Sequence, residues 1–295
     1  MNKIIVIAGP TGIGKTRLSI ELAHKLDGEI INADSTQVYK DLDIATAKVT
    51  NDEMEGVIHH LLDIKSIDED YSVYDYQRDS RMILDDILKR GKTPILVGGT
   101  GLYIKACLYD YQFNEQENIN NYNDFTNDEL YDKLLSIDPK TTIHVNNRKR
   151  IVRALNYYDL TKEPYSEKKK TNELLYDTIF IGLTTNRDQL YDRLNTRVDQ
   201  MISNHLLDEA KQVYDSNIRS KAVMTPIGYK ELFDYFDGKK DLQECIELIK
   251  KRSRNYAKRQ YTWFNHQLPI HWIEVNFVDF EKTFDEALNY VLSIK

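Results

Sequence analysis

The segment Gly9-Pro10-Thr11-Gly12-Ile13-Gly14-Lys15-Thr16 constrains the fold more than any other feature of the chain. It fits the pattern G-x-x-x-x-G-K-[ST], follows the apolar run Ile4 to Ala8, and precedes the amphipathic stretch RLSIELAHKL. A phosphate-binding loop in a strand-loop-helix setting requires a parallel α/β sheet with the loop at the carboxyl end of a strand. Gly12 and Gly14 let backbone amides turn inward around an anion, Lys15 supplies a point charge, and Thr16 offers a hydroxyl for magnesium.

Further apolar runs alternate with helical periodicity: Glu29 to Ala33, Leu61 to Ile64, Pro94 to Val97, Thr178 to Leu183 and Pro269 to Ile273. Strands buried on both faces read this way. The expected fold class is therefore α/β, a P-loop NTPase-like parallel sheet core with helices on both faces. Residues 113–176 carry no strand-like core segment and read as an inserted small helical subdomain, leaving 1–112 and 177–295 as the catalytic core. The insertion begins with the Asn-rich NEQENINNYNDF. Thr126 and Glu129 then form a capping-box start for the helix DELYDKLLSI, and a second helix runs from about Val145 to Leu160. Helices are also expected at Arg187 to Ile202, Leu206 to Tyr214, Tyr229 to Phe236 and Leu242 to about Phe264.

In a chain of 295 residues, 41% apolar and 29% charged residues exclude disordered and fibrous classes. No apolar run approaches a membrane span, and a strand begins too soon after Met1 for a signal sequence, so a cytoplasmic monomer with no membrane partner is expected. Cys107 and Cys245 lack metal-ligand spacing, which predicts neither a disulfide nor a zinc site. A net charge of −7 argues at first against a nucleic-acid partner.

A P-loop does not define the reaction, so the neighbouring strand ends must. The second strand ends in Asp34-Ser35-Thr36-Gln37, which puts a carboxylate beside the phosphate site; it serves either chemistry or the capping of a turn. The fourth ends in Gly98-Gly99-Thr100-Gly101, where many NTPases carry a magnesium-binding Asp. Two glycines there permit close backbone approach to a ligand, and Thr100 either lines the pocket or caps the next helix. The missing acid favours transfer chemistry over ATP hydrolysis.

The overall charge conceals a segregation of cations. Arg148, Lys149, Arg150 and Arg153 in the insertion, and Arg252, Arg254, Lys258 and Arg259 near the carboxyl terminus, have no acidic neighbour three or four residues away. Tyr256, Tyr261 and Trp263 interleave with the second group. This arrangement suits a structured RNA held between subdomain and core, or a solvated surface. Arg193 and Arg197 also lack helical partners, so either an anion or a tertiary salt bridge must relieve their repulsion.

The segments GPTGIGKT, EIINADSTQVYKDLDIATAK, HHLLDI, GGTGLY, NRKRIVRAL, RVDQM, IGYKEL and YAKRQYTWF, in that order, resemble the bacterial tRNA dimethylallyltransferases, also called tRNA isopentenyltransferases, over the whole chain. Ala45 and His205 stand at usual glycine positions, Thr225-Pro226 precede IGYK in place of more typical residues, and Asn265 replaces a frequent arginine. The resemblance implies transfer of a dimethylallyl group from dimethylallyl diphosphate to the exocyclic amine of the adenosine immediately 3′ of the anticodon in tRNA. It implies Asp34 as general base assisted by Thr100. Gly9 to Thr16 with magnesium on Thr16, together with Arg197, would hold the diphosphate. Contacts with the tRNA anticodon stem-loop would come from Asp34, Ser35, Thr36, Gln37, Thr100, Lys149, Arg150, Arg153, Tyr229, Lys230, Lys258, Arg259 and Gln260.

Three rivals share parts of this pattern: a small-molecule or nucleotide kinase, an adenylate prenyltransferase, and an RNA-binding module retaining the P-loop. GGT at the fourth strand argues against the first, and the NRKRIVRAL helix against the second. Asp34, Thr100 and Lys15 together argue against the third.

Overall fold

The computed structural model describes residues 3–111, 122–167 and 173–294. The expected boundary at 112/113 and most of the Asn-rich stretch fall outside them. The chain divides into two compact units, 1–109 with 174–295, and 110–173.

The first unit is built on six parallel strands in the order β3-β2-β4-β1-β5-β6. These are β1 Ile4–Ala8, β2 Gly28–Asn32, β3 His59–His60, β4 Thr93–Val97, β5 Thr178–Thr184 and β6 His271–Glu274. Every residue of β1 is buried, and its side chains alternate between two cores: Ile4, Val6 and Ala8 enter one, Ile5 and Ile7 the other. The helices are α1 Lys15–Leu26, α2 Val73–Lys89, α3 Gly101–Leu108, α6 Arg187–Ser203, α7 Leu206–Asp215, α8 Lys221–Met224, α9 Tyr229–Phe236, α10 Leu242–Gln267 and α11 Phe280–Ser293. Ligand sites in such sheets form outside the carboxyl ends of the strands, where β1, β2 and β4 here discharge their loops.

The second unit contains α4 Asn127–Ile137 and α5 Arg148–Thr161, packed through Tyr122, Leu130, Leu134, Ile151, Ala154 and Leu155. Thr126 and Glu129 form the reciprocal capping box of α4. Helix α5 starts three residues later than Val145 because Asn147 caps it, its side chain accepting from the Arg150 N–H.

The third strand differs from expectation. It is only His59–His60, because Leu61 and Asp63 adopt φ of 63° and 54°, which no strand accommodates. That turn delivers the Asp63 carboxylate to Lys48, 2.5 Å away. The last strand begins at His271, past Pro269, which has no N–H to give a ladder. Helices α8 and α11 carry no signal in the sequence reading above. Cys107 and Cys245 are both buried free thiols. Among the described residues, no helix is long and apolar enough to cross a membrane.

Candidate active site at the strand ends

Gly12 and Gly14 have φ of 76° and 105°, so the loop between β1 and α1 follows a path that L side chains rarely adopt. At Gly14 a Cβ would also meet the Phe280 ring at 3.0 Å. The Lys15 ammonium folds back onto the loop, donating to the carbonyls of Gly9 (3.0 Å) and Pro10 (2.8 Å). Burial pushes its pKa down to about 7, with Asp34 opposing the shift and Arg197 adding to it. From α6, Arg197 donates to the Thr11 hydroxyl at 3.0 Å, and among the described residues no carboxylate pairs with it. Burial lowers the pKa of Arg197 too, with Asp34 again opposing. A tertiary salt bridge is therefore not what holds this arginine, and an anionic ligand would offset the clustered positive charge.

Asp34 takes the turn-closing role that the sequence left open and keeps one carboxylate oxygen outside that turn. Its Oδ1 accepts from the Thr36 N–H (2.9 Å) and hydroxyl (2.7 Å), closing the turn, while Oδ2 faces Gly99. Thr100 does not cap α3 through its side chain; its Oγ1 accepts from the Ser35 N–H at 3.0 Å. Gly98 allows this junction, since a Cβ there would lie 2.2 Å from the Ala33 carbonyl oxygen. Close approach is thus to the Ala33 backbone at Gly98 and to the Gln260 side chain at Gly99.

Residues 36–48, which continue from Asp34, are tied down by distant side chains. Glu209 of α7 accepts from the consecutive N–H groups of Asp43 (3.0 Å), Ile44 (2.8 Å) and Ala45 (3.1 Å), and from the Tyr229 hydroxyl (2.8 Å). Lys48, its side chain 4% exposed, donates to Asp43, Asp63 and the Tyr39 carbonyl. Gln37 donates to the carbonyls of Thr46 (3.1 Å) and Ala47 (3.3 Å). Glu209 and Lys48 are absent from the sequence reading, and the only signal that could have raised them is their place in motifs already quoted or adjacent to RVDQM.

Two of the residues expected at the RNA are buried and engaged within the protein. Tyr229 is fully buried and its hydroxyl is held by Glu209, so it supports the 43–45 segment from inside the core. Gln260 is 5% exposed; its amide accepts from the Thr11 N–H (2.9 Å) and donates to the Gly99 carbonyl (3.0 Å), clamping the P-loop to the end of β4. Two further cations have tertiary partners that helical spacing cannot reveal. Arg252 pairs with the buried Glu231, and Arg254 donates to Asn195 at 2.5 Å. Arg148 is likewise internal, bonding the carbonyls of Tyr122 and Phe125. Lys258 and Arg259 on α10, and Lys149, Arg150 and Arg153 on α5, stay exposed, and among the described residues no ion pair engages them. Lys230 is half-buried and donates to the Met224 carbonyl.

Two cavities meet at this site. One of about 920 Å³ is lined by Thr11 to Thr16, Arg193, Arg197, Asp34, Gly98 and Gly99. A second of about 430 Å³ is bounded by Leu194, Val198, Met201, Pro226, Ile227 and Ile249, with Lys230, Tyr256 and Arg259. Thr11, Asp34, Thr46 and Arg197 line both. The Thr16 hydroxyl lines the first cavity and makes no side-chain hydrogen bond among the described residues. No cluster of three or more His, Cys, Asp or Glu side chains suited to a metal occurs among those residues, so a cation there would take most of its oxygens from ligand and water.

The family model described as IPP transferase matches residues 37–267. The tRNA dimethylallyltransferases of Anoxybacillus flavithermus and Geobacillus thermodenitrificans are 48% and 47% identical, each covering 98% of this chain and 96% of the relative. A crystal structure of tRNA isopentenylpyrophosphate transferase from Bacillus halodurans matches with a TM-score of 0.78 at 44% identity, over 99% of this chain and 96% of that one. A eukaryotic dimethylallyltransferase captured acting on tRNA gives a TM-score of 0.88 at 33% identity, over 99% of this chain and 79% of that one. Matched by the family model over residues 37–267, and by these relatives in fold and over nearly its whole length, the chain belongs to the IPP transferase family of tRNA-modifying prenyltransferases.

Proposed function

We propose that the protein transfers a dimethylallyl group from dimethylallyl diphosphate to the exocyclic amine of the adenosine immediately 3′ of the anticodon in tRNA, releasing diphosphate. The observation that carries this is the partition: Asp34 and Arg197 stand where a P-loop-lined cavity shares a wall with a second cavity that combines apolar and basic side chains. Two substrates entering from separate cavities would meet there.

The adenine amine is a poor nucleophile because its lone pair is delocalised into the ring. As that lone pair bonds to C1 of the dimethylallyl group, the C1–O bond breaks, its electrons pass to the diphosphate, and the amine proton passes to Asp34. Oδ2 is the oxygen left available, because Oδ1 is engaged by Thr36. Thr100 and Ser35 fix the turn that aims it. Charge growing on the leaving diphosphate is met by the loop amides, Lys15 and Arg197. Magnesium held by Thr16 would supply further charge neutralisation. The apolar side chains on one side of the second cavity, Leu194, Val198, Met201, Pro226, Ile227 and Ile249, would shield the prenyl group from water.

For tRNA contact the supporting residues are Ser35, Thr36 and Gln37 near Asp34, Lys230, Lys258 and Arg259 of the core unit, and Lys149, Arg150 and Arg153 of the inserted unit. The adenosine lies in a loop, so extruding it costs less than flipping a paired base. In this reading the protein acts on tRNA as a monomer in the cytoplasm. Incubation with magnesium, dimethylallyl diphosphate and unmodified tRNA, followed by mass spectrometry of the nucleosides, tests the reading. Prenylated adenosine is the expected product, and its absence refutes the assignment.

A further inference from the structure

The proposed reaction leaves two cations of the phosphate cavity without a role: Arg17, which is paired with Glu21, and Arg193. Arg193 lies one helical turn before Arg197 on α6, lines the same cavity, and has no ion pair among the described residues. Its Nε reaches toward the Gly12 carbonyl at 3.4 Å, a long contact, and the exposed side chain keeps most of its N–H donors open to solvent or a ligand. What fixes the side chain is an aromatic face, since its Cζ sits 3.9 Å from the centroid of the Phe277 ring. Stacking on a ring restrains the guanidinium plane yet leaves its N–H edge available for phosphate oxygens.

The segment that supplies Phe277 is itself held rigidly. The Asn276 side chain accepts from the N–H groups of Val278 (3.1 Å) and Asp279 (2.9 Å), and the Asn276 N–H donates to the Thr283 hydroxyl (2.9 Å). Val275 continues from β6 by donating to the Thr184 carbonyl at 2.8 Å. Three residues past Phe277, Phe280 packs against Gly14 of the P-loop and lies 4.3 Å from the Arg17 guanidinium. The turn from β6 to α11 thus reaches the phosphate loop at two points, although it lies beyond the segment 37–267 matched by the family model.

We propose that Arg193 is a second guanidinium contact for the diphosphate, and that Phe277 is the positioning residue that holds it at the cavity. This rests on the reading of that cavity as the diphosphate site. The test is calorimetric binding of inorganic diphosphate with magnesium to the full chain and to Arg193→Gln, Phe277→Ala, Phe277→Tyr and the Arg193→Gln/Phe277→Ala double variant, with tRNA affinity measured alongside. Arg193→Gln should weaken diphosphate binding about tenfold and Phe277→Ala about threefold. Phe277→Tyr should bind as the parent does, and the double variant no worse than Arg193→Gln, because the ring acts only through the arginine. Affinity for tRNA should not change in any of them, whereas a general loss of structure would lower it. Parent-like diphosphate binding by Arg193→Gln overturns the proposal. Independent, multiplying effects of the two substitutions overturn the role of Phe277. If the parent protein does not bind diphosphate, the reading of the cavity falls and the proposal with it.

Discussion

The loop after β1 and the loop after β2 both end on the phosphate cavity, yet distant side chains shape them to different degrees. Residues 9–16 take their path from positive-φ glycines and from Lys15 bonding carbonyls only five and six residues away, while Gln260 and Arg197 fasten the loop from outside at Thr11. Residues 34–48 are shaped from elsewhere, by Thr100 at the end of β4, Glu209 on α7 and Asp63 after β3. The first loop is a local motif that many chemistries can share. The second is an assembled surface, and it places Asp34, the carboxylate proposed as the base.

If that contrast holds, substitutions at the two loops should fail differently. The largest effect belongs to Asp34→Asn, which keeps the Thr36 turn but removes the base; kcat should fall by about 10² to 10⁴ while both substrates still bind. Full activity in single-turnover assays would remove Asp34 from the reaction. Next is a pH effect confined to the first loop. With Lys15 titrating near 7, dimethylallyl diphosphate must restore its proton above that pH, so affinity should fall by up to about tenfold per pH unit from 7 upward. Calorimetry in two buffers should show proton uptake that Lys15→Met abolishes. The same depressed pKa makes the ligand-free fold gain stability as pH rises above about 7, because there the unfolded chain binds the extra proton.

Glu209→Gln tests the assembled loop, since an amide replaces an acceptor serving three N–H groups and a hydroxyl. A loss of about 1–3 kcal/mol in denaturant unfolding is expected, with kcat reduced and diphosphate binding unchanged. An equal loss in diphosphate affinity would erase the distinction between the loops. Charge reversal at Lys258 or Arg150 should weaken tRNA binding and lower the salt slope by about one each, without altering dimethylallyl diphosphate binding. The smallest effect is at His205, which has φ of 68° and a bond to Asp208 in partial compensation. His205→Gly should raise stability by less than about 1 kcal/mol, read as a small rise in Tm.

Cations illustrate why the site was only partly legible. Helical spacing marked Arg252, Arg254, Lys258 and Arg259 alike, but Glu231 and Asn195, from α9 and α6, engage the first two. A neighbour test along one helix sees the i±3 and i±4 positions and nothing across a packing interface. Tyr229 and Gln260 show the same limit: their places in the quoted motifs do not reveal that their polar atoms have partners inside the protein.

By itself the sequence determined the parallel α/β core, the phosphate loop, Asp34 and Thr100 at the strand ends, and the family, because these depend on local periodicity, on backbone conformations open to few residues, and on ordered motifs. Only the tertiary structure decided the shared wall between the two cavities, the Glu209 and Lys48 anchors, the clamp through Gln260, and the ring of Phe277 beneath Arg193. Each of those joins side chains far apart in the chain, and their geometry exists only once the sheet has brought its loops to one edge.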